Sequence, residues 1–384
     1  MSSGLVVTRE GKVLIYLPEP RGLVSGGRLE PAWMPVFYNP AMEFNRDLSV
    51  LVLSSYASLY APKRPFTVAE PLAATGVRCI RYALESEGVG RVYCGDVDRE
   101  AYELIEKNVA LNGIWHKVSF ARRDANALLS DLKGKGVPVL AVDIDPYGSP
   151  VPFLDSAINL VGNGGLLMVT ATDTAVLEGS KRSKALRRYG CKLQKIPQSK
   201  EVAARVLLGY IARAAARYDK WIRPLLSLYV DYYVRVFVLV GRSSSRSLRM
   251  VEEELGMLRI CKNSLAHFEE CEEKDSIGPL WRGDLFDLPL LQDLLARARA
   301  QVYLSSQQRI IEILELAREE ARLQRFVHQR TDAISSALKA RTPKLEEVIG
   351  RLREKGYDAT PTLFSPTGFR SNAPLSEILS SFLP

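Results

Sequence analysis

An apolar run from Val137 to Val142 breaks into carboxylates, a proline and an aromatic at Asp143-Ile144-Asp145-Pro146-Tyr147-Gly148-Ser149-Pro150. Such a run reads as a buried strand that delivers an acid and a ring at its carboxyl edge, where open α/β sheets bind ligands. That trio suits chemistry on the amino group of a flat base. The carboxylate accepts an N–H hydrogen and the ring stacks on the base. A plain strand-to-turn transition would use the same Asp and Pro, so the neighbouring strands must decide.

Three further acids fall at strand ends. Glu70 closes Phe66-Thr67-Val68-Ala69-Glu70, just before the small-residue loop Leu72-Ala73-Ala74-Thr75-Gly76. Asp96 closes Arg91 to Asp96, 20 residues after Gly76, and Asp124 follows the strand Lys117 to Phe120. An acid ending the second strand of a doubly wound sheet is placed for two ribose hydroxyls. The loop before it lets a ligand approach backbone N–H groups at a helix start. Asp124, beside small Ala125, can accept from an adenine amino group. The Gly-x-Gly-x-x-Gly fingerprint and the Gly-rich loop ending in Lys-Ser/Thr are both absent. A nucleoside cofactor without phosphate, S-adenosylmethionine, fits this ordered set.

The elements that must hold these residues alternate. Strands at 66–70, 91–96, 117–120, 137–143 and 164–172 are separated by helices at Val77–Glu85, Arg99–Asn112 and Val151–Val161, which calls for a mainly parallel sheet with helices on both faces. Leu225 to Val240 carries the strongest β signal and is expected to close the sheet as an antiparallel hairpin. Ahead of this fold, Gly4 to Leu17 reads as a hairpin around Glu10-Gly11, and Gly22 to Glu30 as a Gly-rich basic loop. Phe37-Tyr38-Asn39-Pro40-Ala41-Met42-Glu43-Phe44-Asn45-Arg46-Asp47 reads as a turn before an amphipathic helix, Leu48 to Tyr60. An Asn-Pro helix start leaves the Asn45-Arg46-Asp47 triplet unexplained. Gly241 to Ser247 marks a boundary between a domain at 1–242 and a smaller α+β domain at 243–384. In the latter, two helices within Leu288–Arg325, a helix at Pro343–Lys355, and two extended pieces joined by Ser365-Pro366-Thr367-Gly368 are expected. Cys261 to Gly283 shows no periodicity.

Composition narrows the partners. A chain of 384 residues with 47% hydrophobic and 25% charged residues reads as an ordinary globular protein. No run approaches the ~20 apolar residues of a membrane span, and Met1 to Glu10 has no basic segment followed by an apolar core, so a secretory signal is not expected. A cytoplasmic setting is expected. Net charge is +8 and the pI about 9.1. Lys181, Arg182, Lys184, Arg187, Arg188, Lys192 and Lys195 gather just after the fifth strand, a density of one sign that suits phosphates. Three histidines give no basis for a multi-histidine metal site. Five scattered cysteines suggest free thiols in a reducing interior, not disulfides.

The chain resembles the tRNA guanosine-26 N2,N2-dimethyltransferase family. The segments that carry the likeness are Phe37-Tyr38-Asn39-Pro40 with Asn45-Arg46-Asp47, Glu70 to Arg78, Asp145 to Pro150, Thr170-Ala171-Thr172-Asp173-Thr174, Asp231 to Val236, Gly278-Pro279-Leu280-Trp281, Gly356-Tyr357 and Pro366-Thr367-Gly368. The resemblance implies a class I methyltransferase-like (Rossmann-like) fold, with S-adenosylmethionine held by Arg46, Arg78, Asp96, Asp124 and Ala125. It makes Asp145 the catalytic carboxylate, and Phe37 and Tyr147 the rings that hold a flipped guanine of tRNA. It further implies a tRNA-binding role for 243–384. Two Cys-x-x-Cys pairs that often bind zinc in the family are broken here, with Ser264 and Lys274 at the paired positions, so zinc is not expected. Thr360-Pro361-Thr362-Leu363 stands where the family has Ser-Arg-Thr-His. The Asp-Pro-aromatic element alone is also compatible with N-methylation of another RNA base. A noncatalytic RNA-binding protein on the same scaffold is the remaining alternative.

Overall fold

The computed structural model describes residues 4–19, 24–25, 28–29, 31–61, 65–269, 271 and 273–382. Contacts gather the chain into two compact units, one of Met1–Asp145, Phe153–Met168 and Gln292–Ile311, the other of Pro146–Pro152, Val169–Leu291 and Glu312–Pro384.

Seven strands make the central sheet: β1 (Phe66–Glu70), β2 (Val89–Asp96), β3 (Val118–Arg122), β4 (Val139–Ile144), β5 (Gly165–Ala171), β6 (Lys220–Val230) and β7 (Tyr233–Arg242). Their order is β6-β7-β5-β4-β1-β2-β3. β1 pairs parallel with both β2 and β4, and β2 with β3. β6 and β7 form the expected antiparallel hairpin, which turns at Asp231 with φ 51°. β4 and β5 are apolar on both faces because helices cover both. Strand order reverses between β1 and β4, which opens a crevice at their carboxyl ends.

The helices that follow β1 to β4 are α2 (Val77–Glu85), α3 (Arg99–Leu111), α4 (Ala125–Gly134) and α5 (Val151–Leu160). Asp98 caps α3 by accepting from Ala101 N–H at 2.9 Å, and Asp124 caps α4 by accepting from Ala127 N–H at 3.0 Å. Helix α4 escaped the sequence reading because its small polar start, Asp124-Ala125-Asn126-Ala127, looks like a loop.

The helix expected from Leu48 begins earlier. Helix α1 runs Glu43–Leu59, behind a short 3-10 turn at Pro40–Met42, so Asn45, Arg46 and Asp47 lie inside its first turns. It is not amphipathic either: every residue from Phe44 to Tyr56 is buried. The N-terminal hairpin pairs Leu5–Glu10 with Val13–Pro18 around Gly11, whose φ is 57°. Within Gly22–Glu30, expected as a loop, Val24–Ser25 pairs antiparallel with Arg28–Leu29, and the other residues lie outside the described ones.

In the second unit, most of the described residues of Cys261–Gly283 belong to β structure. Leu255–Cys261 pairs with Ala266–His267 and with Glu273–Trp281. A second small sheet joins Gln329–Arg330, Ala359–Thr362 and Ser365–Ser371. Ser365 to Gly368, expected as a connection, lies inside the last of these strands. The predicted helices are present as Leu288–Ala300, Gln307–Glu320 and Leu345–Glu354. Val348, Ile349 and Leu352 pack with Ile334, Phe369, Ile378 and Phe382.

Candidate active site

Arg78 is the hub of the carboxyl edge. It lies in the first turn of α2, whose N-cap Gly76 has φ 76°, a left-handed conformation that glycine adopts without strain. The side chain is buried and its guanidinium pairs with Asp145. It lies 3.5 Å from both Asp143 and Glu70, and donates to Asn45 Oδ1 at 3.0 Å, Ser49 Oγ at 3.3 Å and Tyr82 OH at 3.3 Å. Asp143 is fully buried and accepts from Tyr82 OH at 2.5 Å. The side chain of Asp145 keeps 17% of its surface in solvent, against 0% for Asp143 and 3% for Glu70. Burial pushes the Glu70 carboxyl up to about 7, with Arg78 opposing the shift.

Arg46 is held from outside the methyltransferase-like core. Glu10, at the end of the first hairpin strand, accepts from its Nε and Nη2, both at 2.6 Å. Glu10 also accepts from Arg81 at 2.9 Å and from Tyr38 OH at 2.8 Å. Arg46 further reaches the Asn39 carbonyl at 3.3 Å. Despite the opposing effect of burial, Arg46 and Arg81 hold the Glu10 carboxyl down at about 2. The triplet is thereby explained: Asn45 bonds Arg78, Arg46 pairs with Glu10, and Asp47 pairs with Arg81 at 2.7 Å. Glu10 had read only as a turn residue, since no local pattern announces a partner 36 residues away.

Asp96 ends β2 half-buried, where one carboxylate oxygen accepts Ala74 N–H at 2.9 Å and the other accepts Asp98 N–H at 3.0 Å. Each oxygen retains a lone-pair direction for a diol. Ala74 takes φ 48°, and a side chain on Gly95 would meet Leu128 of α4 at 2.4 Å, so a glycine lets β2 and α4 pack closely here. Asp124 is exposed, with one oxygen spent on its helix cap, and Ala125 is buried beside it. These donors and acceptors suit a nucleoside cofactor without phosphate. From α3, Asn108 bonds both backbone groups of Tyr16, at 2.6 and 3.2 Å, and the Thr75 carbonyl at 2.9 Å. It thus ties the hairpin to the Leu72–Gly76 loop, a link with no sequence signature.

Phe37 sits on the N-terminal segment with 41% of its surface exposed. Tyr147 belongs to the second unit and is 84% exposed. Within that unit its loop is fastened to the end of β5. Gly148 N–H donates to Thr172 Oγ1 at 2.7 Å, and Thr172 N–H donates to the Gly148 carbonyl at 2.9 Å. Ser149 and Tyr189 share a hydroxyl contact at 2.9 Å, and Tyr189 OH donates to Asp173 at 2.7 Å. Thr172 and Asp173 therefore brace the loop that carries the aromatic. The basic stretch divides in its use. Arg188 pairs with Asp173 at 2.8 Å and Lys192 with Asp275 at 2.9 Å, while Lys181, Arg182, Lys184, Arg187 and Lys195 are exposed.

The expectation of free thiols holds for Cys79, Cys94 and Cys191, all buried, but not for the other two. Cys261 and Cys271 form a disulfide, because the Leu255–Cys261 strand and the chain before Glu273 run side by side. Sulfurs so joined are not thiolate ligands. The Cys79 and Cys94 sulfurs and a Glu70 oxygen lie within 4.8 Å of one another. Burial raises both thiols, and Glu70 also accepts from Cys79 Sγ at 2.7 Å and lies 3.5 Å from the Arg78 guanidinium. Among the described residues no helix is long and apolar enough to cross a membrane.

The chain has close counterparts among known proteins. A tRNA (guanine(26)-N(2))-dimethyltransferase of Aeropyrum pernix is 40% identical over 392 residues, with 98% of this chain and 96% of that protein covered. The enzyme of the same name from Metallosphaera sedula is 40% identical, with 96% and 94% covered. The solved structure of Trm1 from Pyrococcus horikoshii with S-adenosyl-L-methionine matches with a TM-score of 0.87 and 32% identity, covering 98% of this chain and 99% of that one. Residues 26–382 match the family described as N2,N2-dimethylguanosine tRNA methyltransferase, and the chain belongs to that family.

Proposed function

We propose that this chain transfers methyl groups, one or two per site, from S-adenosylmethionine to the exocyclic N2 of guanosine 26 in tRNA. The observation that carries the reading is the exposure of Asp145, the one acid around Arg78 that a substrate can reach. Bound S-adenosylmethionine supplies an electrophilic methyl group on a sulfonium. The guanine amine is a weak nucleophile whose lone pair is delocalised into the ring, so the protein contributes alignment and an acceptor for the N–H that gains acidity as the bond forms. Asp145 is assigned that acceptor role. Its pairing with Arg78 holds the carboxylate in place, and after a first transfer the amine retains one hydrogen for a second round. A carboxylate is far too weak a base to deprotonate the amine beforehand, so proton acceptance accompanies methyl transfer.

Arg46, Arg78, Asp96, Asp124 and Ala125 are assigned to S-adenosylmethionine, with Asp96 on the ribose hydroxyls and Asp124 on the adenine amino group. Phe37 and Tyr147 supply stacking faces for the guanine, whose extrusion from folded RNA costs a few kcal/mol. The exposed cations from Lys181 to Arg187 and the 243–384 region are assigned to tRNA phosphates, in a cytoplasmic enzyme. Cys261 and Cys271 are assigned no metal.

Methyl transfer to tRNA transcripts followed by nucleoside analysis tests the reaction. Methylated N2-guanosine that disappears when guanosine 26 is replaced supports it, and methyladenosine as sole product refutes it. Asp145→Ala is expected to bind S-adenosylmethionine while single-turnover transfer falls about 10²-fold or more. Unchanged turnover would remove Asp145 from the reaction.

A further inference from the structure

We infer that Glu10, on the N-terminal hairpin, is a positioning residue for the transfer. It sets Arg46 for the cofactor and, through Tyr38, fixes the segment that bears Phe37. The inference rests on the assignments of Arg46 and Phe37 above. Its own basis is the way one buried carboxylate is saturated. Oε1 accepts from Arg46 Nε at 2.6 Å and from Arg81 at 2.9 Å, and Oε2 accepts from Arg46 Nη2 at 2.6 Å and from Tyr38 OH at 2.8 Å. A side-on bidentate pair fixes the plane of a guanidinium as well as its place. Glu10 takes the Nε edge, and Nη1 on the opposite edge donates to the Asn39 carbonyl at 3.3 Å, so the two together set where the guanidinium faces. The Tyr38 ring lies 5.2 Å from the Arg46 guanidinium, so two of the three donor residues also contact each other.

Glu10 is 1% exposed and Tyr38 8% exposed, so neither is a surface contact that solvent would replace. Arg81, the third donor residue, is separately anchored by Asp47 at 2.7 Å and Glu85 at 2.8 Å. It thereby links the Glu10 carboxylate to a second set of ion pairs that does not involve Arg46. Tyr38 directly follows Phe37, and Asn39 next accepts Ala41 N–H at 3.0 Å to start the turn into α1. A single acid therefore constrains both ends of the segment from Phe37 to Arg46.

The test compares Glu10→Gln, Tyr38→Phe, Arg46→Lys and the Glu10→Gln/Arg46→Lys double variant in the full chain. Calorimetry measures S-adenosylmethionine affinity, and kinetics measure kcat and KM for tRNA. Glu10→Gln is expected to weaken S-adenosylmethionine binding about tenfold or more, and the double variant to bind no more weakly than Arg46→Lys alone. Tyr38→Phe is expected to leave S-adenosylmethionine affinity unchanged and to raise KM for tRNA. Additive losses in the double variant would overturn the inference, as would a Glu10→Gln protein that melts lower but binds normally. If Glu10→Gln does not fold, Glu10→Asp, which keeps the charge and shortens the reach, replaces it with the same expected loss of affinity, and normal affinity again overturns the inference. Normal affinity in Arg46→Lys would refute the Arg46 assignment itself and the inference with it. Absence of methyl transfer by the unaltered protein would refute the proposed reaction, and the binding comparison would still report on Glu10.

Discussion

Glu70 and Asp145 face the same guanidinium, yet their surroundings separate them. Glu70 is wholly buried and its carboxyl is raised to about 7, whereas Asp145 reaches solvent. A raised carboxyl favours the protonated state in the folded protein. That contribution to stability is fully present below the ordinary value of 4.5 and is lost as pH rises to about 7. Glu70→Gln has no such titration. Relative to the unaltered protein, it should therefore gain about 3 kcal/mol of unfolding free energy between those limits. Urea titrations at stepped pH measure the difference, and a difference independent of pH would show that Glu70 does not titrate there. At this scale the sequence was informative about strand-end acids, because Glu70, Asp96, Asp124 and Asp145 each stand at the break of an apolar run. It was silent about Glu10 and Asn108, whose partners lie 36 and 92 residues away.

Elements explain why one motif works only with another. The aromatic of the Asp-Pro-Tyr stretch stands on a loop that Thr172 fastens at two points, so the Thr170–Thr174 segment acts as a brace. Thr172→Val removes the acceptor of Gly148 N–H and should lower kcat/KM for tRNA about tenfold while S-adenosylmethionine affinity stays the same. Equal losses in both would mean that the substitution disturbs the sheet and not the loop. Strands and helices of the sheet were legible because their apolar periods are long. Helix α1 misled because burial on every side erases the polar face that marks a helix in sequence. Leu255–Cys261 and Glu273–Trp281 misled in the opposite way. They are short, partly charged strands of a small sheet, and their pairing is long-range.

Across the molecule, two kinds of charge do different work. In the second unit Glu201, fully buried, accepts from Arg205 at 2.7 Å and Arg370 at 2.9 Å and bonds His328 at 2.5 Å, while Arg370 also pairs with Glu320 at 2.6 Å. Arg370→Met leaves two buried acids short of a partner and should cost about 3 kcal/mol or more, read from denaturant unfolding; an unchanged midpoint would show that the network contributes nothing net. The exposed cations assigned to tRNA phosphates make no such buried network. Arg182→Glu with Lys184→Glu should raise KM for tRNA and flatten its salt dependence, leaving S-adenosylmethionine affinity unaltered. A salt slope equal to that of the unaltered protein would place tRNA elsewhere. Net charge announced such a surface, but only coordinates could separate Arg188, which pairs with the largely buried Asp173, from its exposed neighbours. The tether between the hairpin and α3 has a spectroscopic consequence. The Tyr16 amide hydrogen is donated to the Asn108 side chain and the Leu14 amide hydrogen to Asn112, at 2.6 and 3.2 Å. These two hydrogens should exchange with deuterium whenever the hairpin lifts from the helix, even while its own strand ladder stays closed, which makes them site-specific clocks for that opening.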